Sequence, residues 1–488
     1  MPENSVLEKL PYEFARQNAL VLDAERERIV LGPDASRDAM LEIQRVSGGS
    51  LALETVDHDA FDELLRNTYT NVTSSSASVM EDIQDDLDLD ALFGEVEESA
   101  DLLDGSDDAP VIRLLNALIA EALRERASDI HIEPYEAQSR VRFRIDGVLK
   151  TVLTPRAQLT PLLISRIKIM SRLDISEKRL PQDGRMSVKL GGRAIDLRVS
   201  TLPSSYGERV VLRLLEKQAG HLALDDLGMP AQQRAQLTNL IQRPHGIILV
   251  TGPTGSGKTT TLYAALQEMD RRERNIMTVE DPVEYDLPGI SQTSINLKTG
   301  LTFAKGLRAI LRQDPDVILV GEIRDEETAE ISTQASLTGH LVLSTLHTNT
   351  ASGAVTRMQD IGIDSFLLSS TLRGVLAQRL VRRLCEECKT PFQPDQVTAD
   401  ELRLEAAAQI YTATGCAHCN ATGYDGRLGI FELVIIDNQL QRLIHNEAGE
   451  LEIEQAIRET VPSLRESGYD LVRRGLTTLE EILRVTSD

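Results

Sequence analysis

Residues 252–259 read Gly-Pro-Thr-Gly-Ser-Gly-Lys-Thr and fill every fixed position of a G-x-x-x-x-G-K-[ST] phosphate loop. Glycines in such a loop let backbone N–H groups turn toward an anion, and a helix start behind it adds partial positive charge. The candidate nucleotide-binding residues are therefore Gly252, Pro253, Thr254, Gly255, Ser256, Gly257, Lys258, Thr259 and Thr260. Lys258 would reach the β- and γ-phosphates, and the Thr259 hydroxyl would ligate Mg²⁺. The apolar run Gly246–Val250 precedes the loop and Thr260–Leu266 follows it, which predicts strand, loop and helix start in the order the motif needs. A Gly/Ser-rich turn without a ligand is the competing reading. The filled positions and the flanks favour a nucleoside-triphosphate site.

Such a site needs an acid at the tip of a neighbouring strand, to hold the metal shell or act on water. The run Val317–Val320 is followed by Gly321 and then Glu322, which takes that place. A second acidic cluster, Glu280, Asp281 and Glu284, follows the run Ile276–Val279, with Pro282 ending that strand. Glu280 or Glu284 is the alternative acid. His340 precedes the run Leu341–Ser344 and His347 follows it. Each is a candidate γ-phosphate sensor, and each could equally be a structural histidine.

All four cysteines fall in two pairs, Cys385-x-x-Cys388 and Cys416-x-x-Cys419. Two thiolate pairs on tight turns offer the tetrahedral S₄ set that suits Zn²⁺. Four protein ligands leave no open position, so the expected metal is structural. A redox pair or unligated thiols are the alternatives, and His418 inside the second pair is a possible competing ligand.

Several elements must carry these groups. At 488 residues the chain is too long for one core. The segment 1–80 holds short apolar clusters (Leu7, Leu10, Tyr12, Phe14, Leu20–Leu22) and no catalytic pattern. Residues 81–108 contain thirteen Asp or Glu and no Lys or Arg, the composition of a self-repelling tether. A small α+β domain is expected over 109–225. It has a helix from the spacing of Val111, Leu114, Leu115, Leu118 and Ile119, a hairpin turning at Asp146-Gly147, and a second hairpin turning at Gly191-Gly192. In its last hairpin Ile195, Leu197 and Val199 alternate inward while Asp196, Arg198 and Ser200 point outward. Residues 226–380 alternate apolar strands with helices, which predicts a mostly parallel sheet with ligands at the carboxyl ends of its strands. A cysteine subdomain over 381–430 and a helical tail over 431–488 complete the expected α/β multidomain plan. The formal charge of −24 and the aromatic content of 3% speak against a nucleic-acid partner. No apolar run reaches the ~20 residues of a membrane span, and the N-terminus lacks a secretory pattern, so a cytoplasmic protein is expected.

Together these motifs resemble the secretion and type IV pilus assembly ATPases. The resemblance is carried by Gly252–Thr259, by 278–284, by 311–316 leading to Glu322, and by 338–349. It continues upstream through Ser128–Pro134, Arg142–Gly147 and Ser204–Arg209. It spans roughly 110–488 and is most similar to the type II secretion branch. The resemblance implies a RecA-like core preceded by a small PAS-like domain. It also implies a homo-hexameric ring, with nucleotide bound between the two. Arg198 and Arg213 are then the implied donors of positive charge to the phosphates, with Arg209, Arg308 and Arg312 as further candidates. The implied activity is ATP hydrolysis driving pseudopilus assembly and protein export. The implied partners are cytoplasmic domains of an inner-membrane platform, contacted through an N-terminal docking domain that makes the motor peripheral to that membrane. The tetracysteine element belongs to secretion and pilus-extension members, whereas retraction motors lack it. A type IV pilus extension motor is the alternative, though such motors typically carry a longer N-terminal region. A nucleotide-binding scaffold without turnover is disfavoured by intact Lys258 and Glu322.

Overall fold

Two kinds of strand pattern, alternating in the first half and continuously apolar in the second, build two kinds of sheet. The computed structural model describes residues 12–23, 28–46, 51–58, 110–190, 193–215, 223–404 and 408–487, with scattered residues elsewhere between 10 and 80. Leu7 and the acidic segment 81–108 lie outside the described residues. The chain divides into two compact units, Met1–Lys217 and Gln218–Asp488.

The first unit opens with a small sheet of β1 (Leu20–Asp23), β2 (Arg28–Leu31) and β3 (Ala52–Thr55). β1 and β2 are antiparallel, and β3 runs parallel to β2. Leu20, Val21, Leu22 and Ile29 meet Ala15 and Ile43 in its core. Phe14, expected among the apolar cluster, is instead exposed, because Ala15 is the residue of its helix that faces the sheet.

The same unit holds an antiparallel six-stranded sheet. Its strands are β4 (Asp129–Pro134), β5 (Ser139–Ile145), β6 (Val148–Leu153), β7 (Gln182–Leu190), β8 (Arg193–Ser204) and β9 (Gly207–Leu215). They lie in the order β6-β5-β4-β9-β8-β7. The turn between β5 and β6 uses Asp146 at φ 48° and Gly147 at φ 83°, the positive pair a tight two-residue hairpin demands. Helices Pro110–Arg124 and Thr160–Met170 cover one face, where Leu114, Leu118 and Ile167 pack on Ile130, Phe143, Leu197 and Leu212. Period-two alternation sends the acids and arginines of the same strands to the opposite face.

The second unit is built on β10 (Gly246–Thr251), β11 (Ile276–Glu280), β12 (Ser291–Ser294), β13 (Val317–Val320), β14 (Leu341–Leu346) and β15 (Leu372–Leu384). A short ribbon of β16 (Thr390–Phe392) and β17 (Ile410–Thr412) precedes β18 (Tyr424–Ile435). The main sheet runs β12-β11-β13-β14-β10-β15-β18. Its first six strands are mutually parallel, and β18 pairs antiparallel with β15. Every residue of β10, β13 and β14 is buried, as strands with helices on both faces require.

The divisions expected at 380 and 430 cut through β15 and β18. Those strands pair along their length, and one hydrophobic core joins Ile247 and Val342 of the sheet to Leu440, Ile453 and Ile482 of the tail helices. The helical tail thus packs as part of the nucleotide-loop unit. Among the described residues no helix is long and apolar enough to cross a membrane.

Candidate active site

The phosphate loop connects the carboxyl end of β10 to the helix Lys258–Gln267. Thr251 at the tip of β10 donates to the Thr348 carbonyl at 2.8 Å and accepts the Thr348 N–H at 3.0 Å, tying the loop's root to the segment after β14. Gly252 and Gly257 have positive φ, and a Cβ would sit 2.5 Å from the Gln378 carbonyl at the first and 2.8 Å from its amide nitrogen at the second. Only glycine fits there. No side chain caps the helix behind the loop, so its first N–H groups remain to meet an anion.

Lys258 is buried, and its Nζ donates to the carbonyls of Gly252 at 2.7 Å and Pro253 at 3.0 Å. Burial lowers its pKa to about 8, with Arg379 adding to the depression and Glu322 opposing it. Ser256 Oγ, within the loop, and Glu322 Oε2 are buried polar atoms without a hydrogen-bond partner. Such atoms are costly unless a ligand completes them. The donor set (backbone N–H groups, an ammonium, hydroxyls of Ser256 and Thr259) fits a polyphosphate.

Glu322 stands just beyond β13, held there by the Ile323 N–H to the Thr345 carbonyl and by Thr345 Oγ1 to the Gly321 carbonyl. Arg324 Nη2 pairs with Oε1 at 2.5 Å. His347 Nε2 lies 3.4 Å from Oε2, close enough for charge interaction but not aligned as a hydrogen bond. Burial, then the nearby Lys258 charge, lowers the His347 pKa, and Glu322 opposes them. Glu322, Lys258 and His347 are thus electrostatic neighbours at one end of the sheet.

Of the other expected site residues, His340 lies at the far end of the sheet, while Glu280 stands at the strand end beside Gly321. His340 stands before β14, at the amino end of the parallel sheet, and β14 pairs residue for residue with β10. Six residues of strand place it roughly 20 Å from the phosphate loop. Its Nδ1 contacts the Ala335 carbonyl at 2.8 Å, so within this unit it is a structural histidine, not a phosphate sensor. Glu280 is buried with its carboxylate committed: Thr278 Oγ1 donates at 2.5 Å, Gln292 Nε2 at 3.3 Å, and the Tyr263 hydroxyl also donates to it. Burial raises its pKa. Its carboxylate ties Tyr263, and with it the phosphate-loop helix, to the end of β11. Glu284 is exposed on the loop that follows. Arg198, Arg209 and Arg213 belong to the first unit, while Arg308 pairs with Glu327 at 2.5 Å and Arg312 donates to the Arg308 carbonyl at 2.7 Å.

The four cysteine sulfurs lie within 4.8 Å of one another. Sγ–Sγ distances are 3.7 Å for Cys388–Cys419 and Cys416–Cys419 and 3.9 Å for Cys385–Cys416. Tetrahedral ligation at a metal–sulfur distance of about 2.3 Å places ligand sulfurs about 3.8 Å apart, so the cluster fits a metal ion. N–H groups of Cys416 and Gly423 point at Cys419 Sγ, each at 3.2 Å. Burial pushes that thiol up, but these hydrogen bonds outweigh it and bring the pKa to about 6. His418 turns toward Asp425 and Glu387 instead of the sulfurs.

Residues 104–484 match the family described as Type II/IV secretion system protein. The chain belongs to that family. Residues 9–69 also match a domain family of GSPII protein E. Type II secretion system protein E of Aeromonas hydrophila is 55% identical over 489 residues, covering 99% of this chain and 97% of that one. Type II secretion system ATPase E of Vibrio cholerae is 54% identical, covering 100% of this chain and 98% of the relative. Among solved structures, the pilus retraction motor PilT with bound ADP is similar at 29% identity and TM-score 0.52, covering 76% of this chain and 96% of PilT. The Legionella pneumophila ATPase DotB shares the fold at 20% identity and TM-score 0.57, covering 76% of this chain and 95% of its own. The core is therefore the RecA-like fold of this family.

The structure adds residues that the motifs do not single out. Gln378 packs under the loop and accepts from Thr261 Oγ1 at 2.7 Å. Arg379, also buried, donates to the Asn349 carbonyl at 3.0 Å and its Oδ1 at 3.1 Å, and acts electrostatically on Lys258. Both lie in β15, and polar residues inside an otherwise buried strand are the signal that could have found them. Arg324, adjacent to Glu322, has no such signal.

Proposed function

We propose that this chain is the ATP-hydrolysing motor of a type II secretion machine, converting MgATP and water to MgADP and phosphate. The observation that carries this reading is Glu322, its Oε2 without an aligned hydrogen bond, beside buried Lys258 at a complete phosphate loop. Lys258 would exchange its two loop carbonyls for β- and γ-phosphate oxygens. Glu322 Oε2 would accept a proton from the attacking water, and His347 would sense the terminal phosphate. Mg²⁺, held by Thr259, supplies charge neutralisation and orientation when bound. Arg198 and Arg213 would add positive charge to the transferring phosphate, and Zn²⁺ would occupy the cysteine cluster structurally.

The near full-length likeness to type II secretion proteins, including the N-terminal match, supports secretion over pilus extension. In this reading six copies form a ring in the cytoplasm, attached to the inner membrane through a platform partner held by residues 1–80, with 81–108 as the tether. Removing residues 1–80 should leave ATP binding intact while releasing the protein from membranes on cell fractionation and stopping secretion. Undiminished sedimentation with membranes would place the attachment in 110–488.

A further inference from the structure

The polar face of the six-stranded sheet carries an unusual row. Register places Arg144 of β5, Asp129 of β4, Arg213 of β9, Arg198 of β8 and Arg185 of β7 side by side across five strands. Neighbouring strands are about 4.8 Å apart, and like charges directly opposite each other are destabilising. Four arginines in one line with a single carboxylate among them is a costly arrangement for a surface with only a structural task.

That carboxylate is built in rather than draped over the surface. Asp129 is 5% exposed, whereas the Arg213 side chain is 51% exposed. Asp129 Oδ1 accepts from Arg213 Nε at 2.9 Å, and Oδ2 accepts from Ser128 Oγ at 2.8 Å with Arg144 Nε 3.6 Å away. Bonding through Nε leaves the two terminal amino groups of Arg213, the pair whose spacing matches two phosphate oxygens. A long exposed arginine otherwise spreads over many rotamers, and the buried anchor removes much of that freedom before any anion arrives. Glu133, further along the same strand, does the same for another pair. It takes Arg142 at 2.7 Å and Arg209 at 2.8 Å, so the sheet holds two separate acid–arginine clamps.

We infer that Asp129 is a positioning residue that fixes the Arg213 guanidinium in the orientation from which it serves the transferring phosphate. The inference rests on the proposed role of Arg213 in turnover. Asp129→Asn is isosteric and keeps an oxygen acceptor while weakening a charge-assisted bond, so the variant should fold. In the full-length protein its kcat for MgATP should fall about tenfold, the scale of one hydrogen bond to a charged group, with KM nearly unchanged. Its melting temperature should stay close to wild type.

Adding Asp129→Asn to Arg213→Ala should cost nothing further, because Asp129 acts through the side chain already removed. Glu133→Gln is the control: any loss it causes should multiply with that of Arg213→Ala. An equal loss from Asp129→Asn in both backgrounds, or no loss in either, overturns the inference. Wild-type turnover by the single Arg213→Ala variant would instead sink the Arg213 assignment, and that failure is visible without Asp129 being touched.

Discussion

The phosphate loop and the cysteine cluster sit in one unit and treat their polar atoms in opposite ways. Around the loop, Lys258 folds back on two carbonyls while Ser256 Oγ and Glu322 Oε2 have no hydrogen-bond partner. Around the cysteines, four sulfurs converge on one another, and Cys419 Sγ takes two N–H donors from its own turn. One region holds buried polar atoms without an aligned hydrogen bond, and the other turns all four sulfurs toward one another. The same contrast separates Glu322 from Glu280, since two acids at neighbouring strand ends differ mainly in whether their oxygens are already committed.

The largest effect is expected at Lys258. Lys258→Ala should cut ATP hydrolysis by about 10²–10³-fold or more, as expected on losing a preorganised charged donor, while leaving metal content and melting temperature near wild type. Parallel loss of metal or of fold would show the two regions to be interdependent. Cys416→Ser makes the converse cut. Metal analysis should return about one zinc per wild-type chain, and the variant should lose it. Structural zinc in finger peptides contributes roughly 10–16 kcal/mol of apparent binding, so residues 385–430 should lose protease resistance. A fully active preparation without metal would remove the structural role.

The two histidines should differ on a smaller scale. His347→Ala should lower kcat by about tenfold, the scale of one interaction with a charged group, whereas His340→Ala should leave kcat within about twofold and act only on stability. Steady-state kinetics on both variants decides it. A His340 effect on kcat as large as that of His347 would contradict its placement at the far end of the sheet.

How much of this was legible in the sequence follows from how local each signal is. The placement of the loop after β10, of Glu322 beyond β13 and of the converging cysteines was readable because each depends on short spacing along the chain. The alternation around Arg198 and the Asp146-Gly147 turn were readable for the same reason. His340 misled because a strand has two ends, and adjacency to an apolar run does not say which end meets the ligand. Glu280 misled because its partners, Tyr263 and Gln292, come from a helix and an edge strand outside its own segment. The boundaries at 380 and 430 missed because pairing of β15 with β18 is a long-range fact. Arg379 and Gln378 share their strand with Arg373, Arg382 and Arg383, so it is their long-range partners Asn349 and Thr261 that set them apart.

The assignment of Glu322 as the acid that acts on water stands or falls with Glu322→Gln. MgATP affinity and single-turnover hydrolysis should be measured on the same full-length preparation, with Glu280→Gln beside it. Glu322→Gln should bind MgATP as wild type does and hydrolyse it at least about 10²-fold more slowly, the scale of a lost general base. Near-normal hydrolysis by Glu322→Gln, with the collapse appearing in a folded Glu280→Gln protein instead, would contradict it.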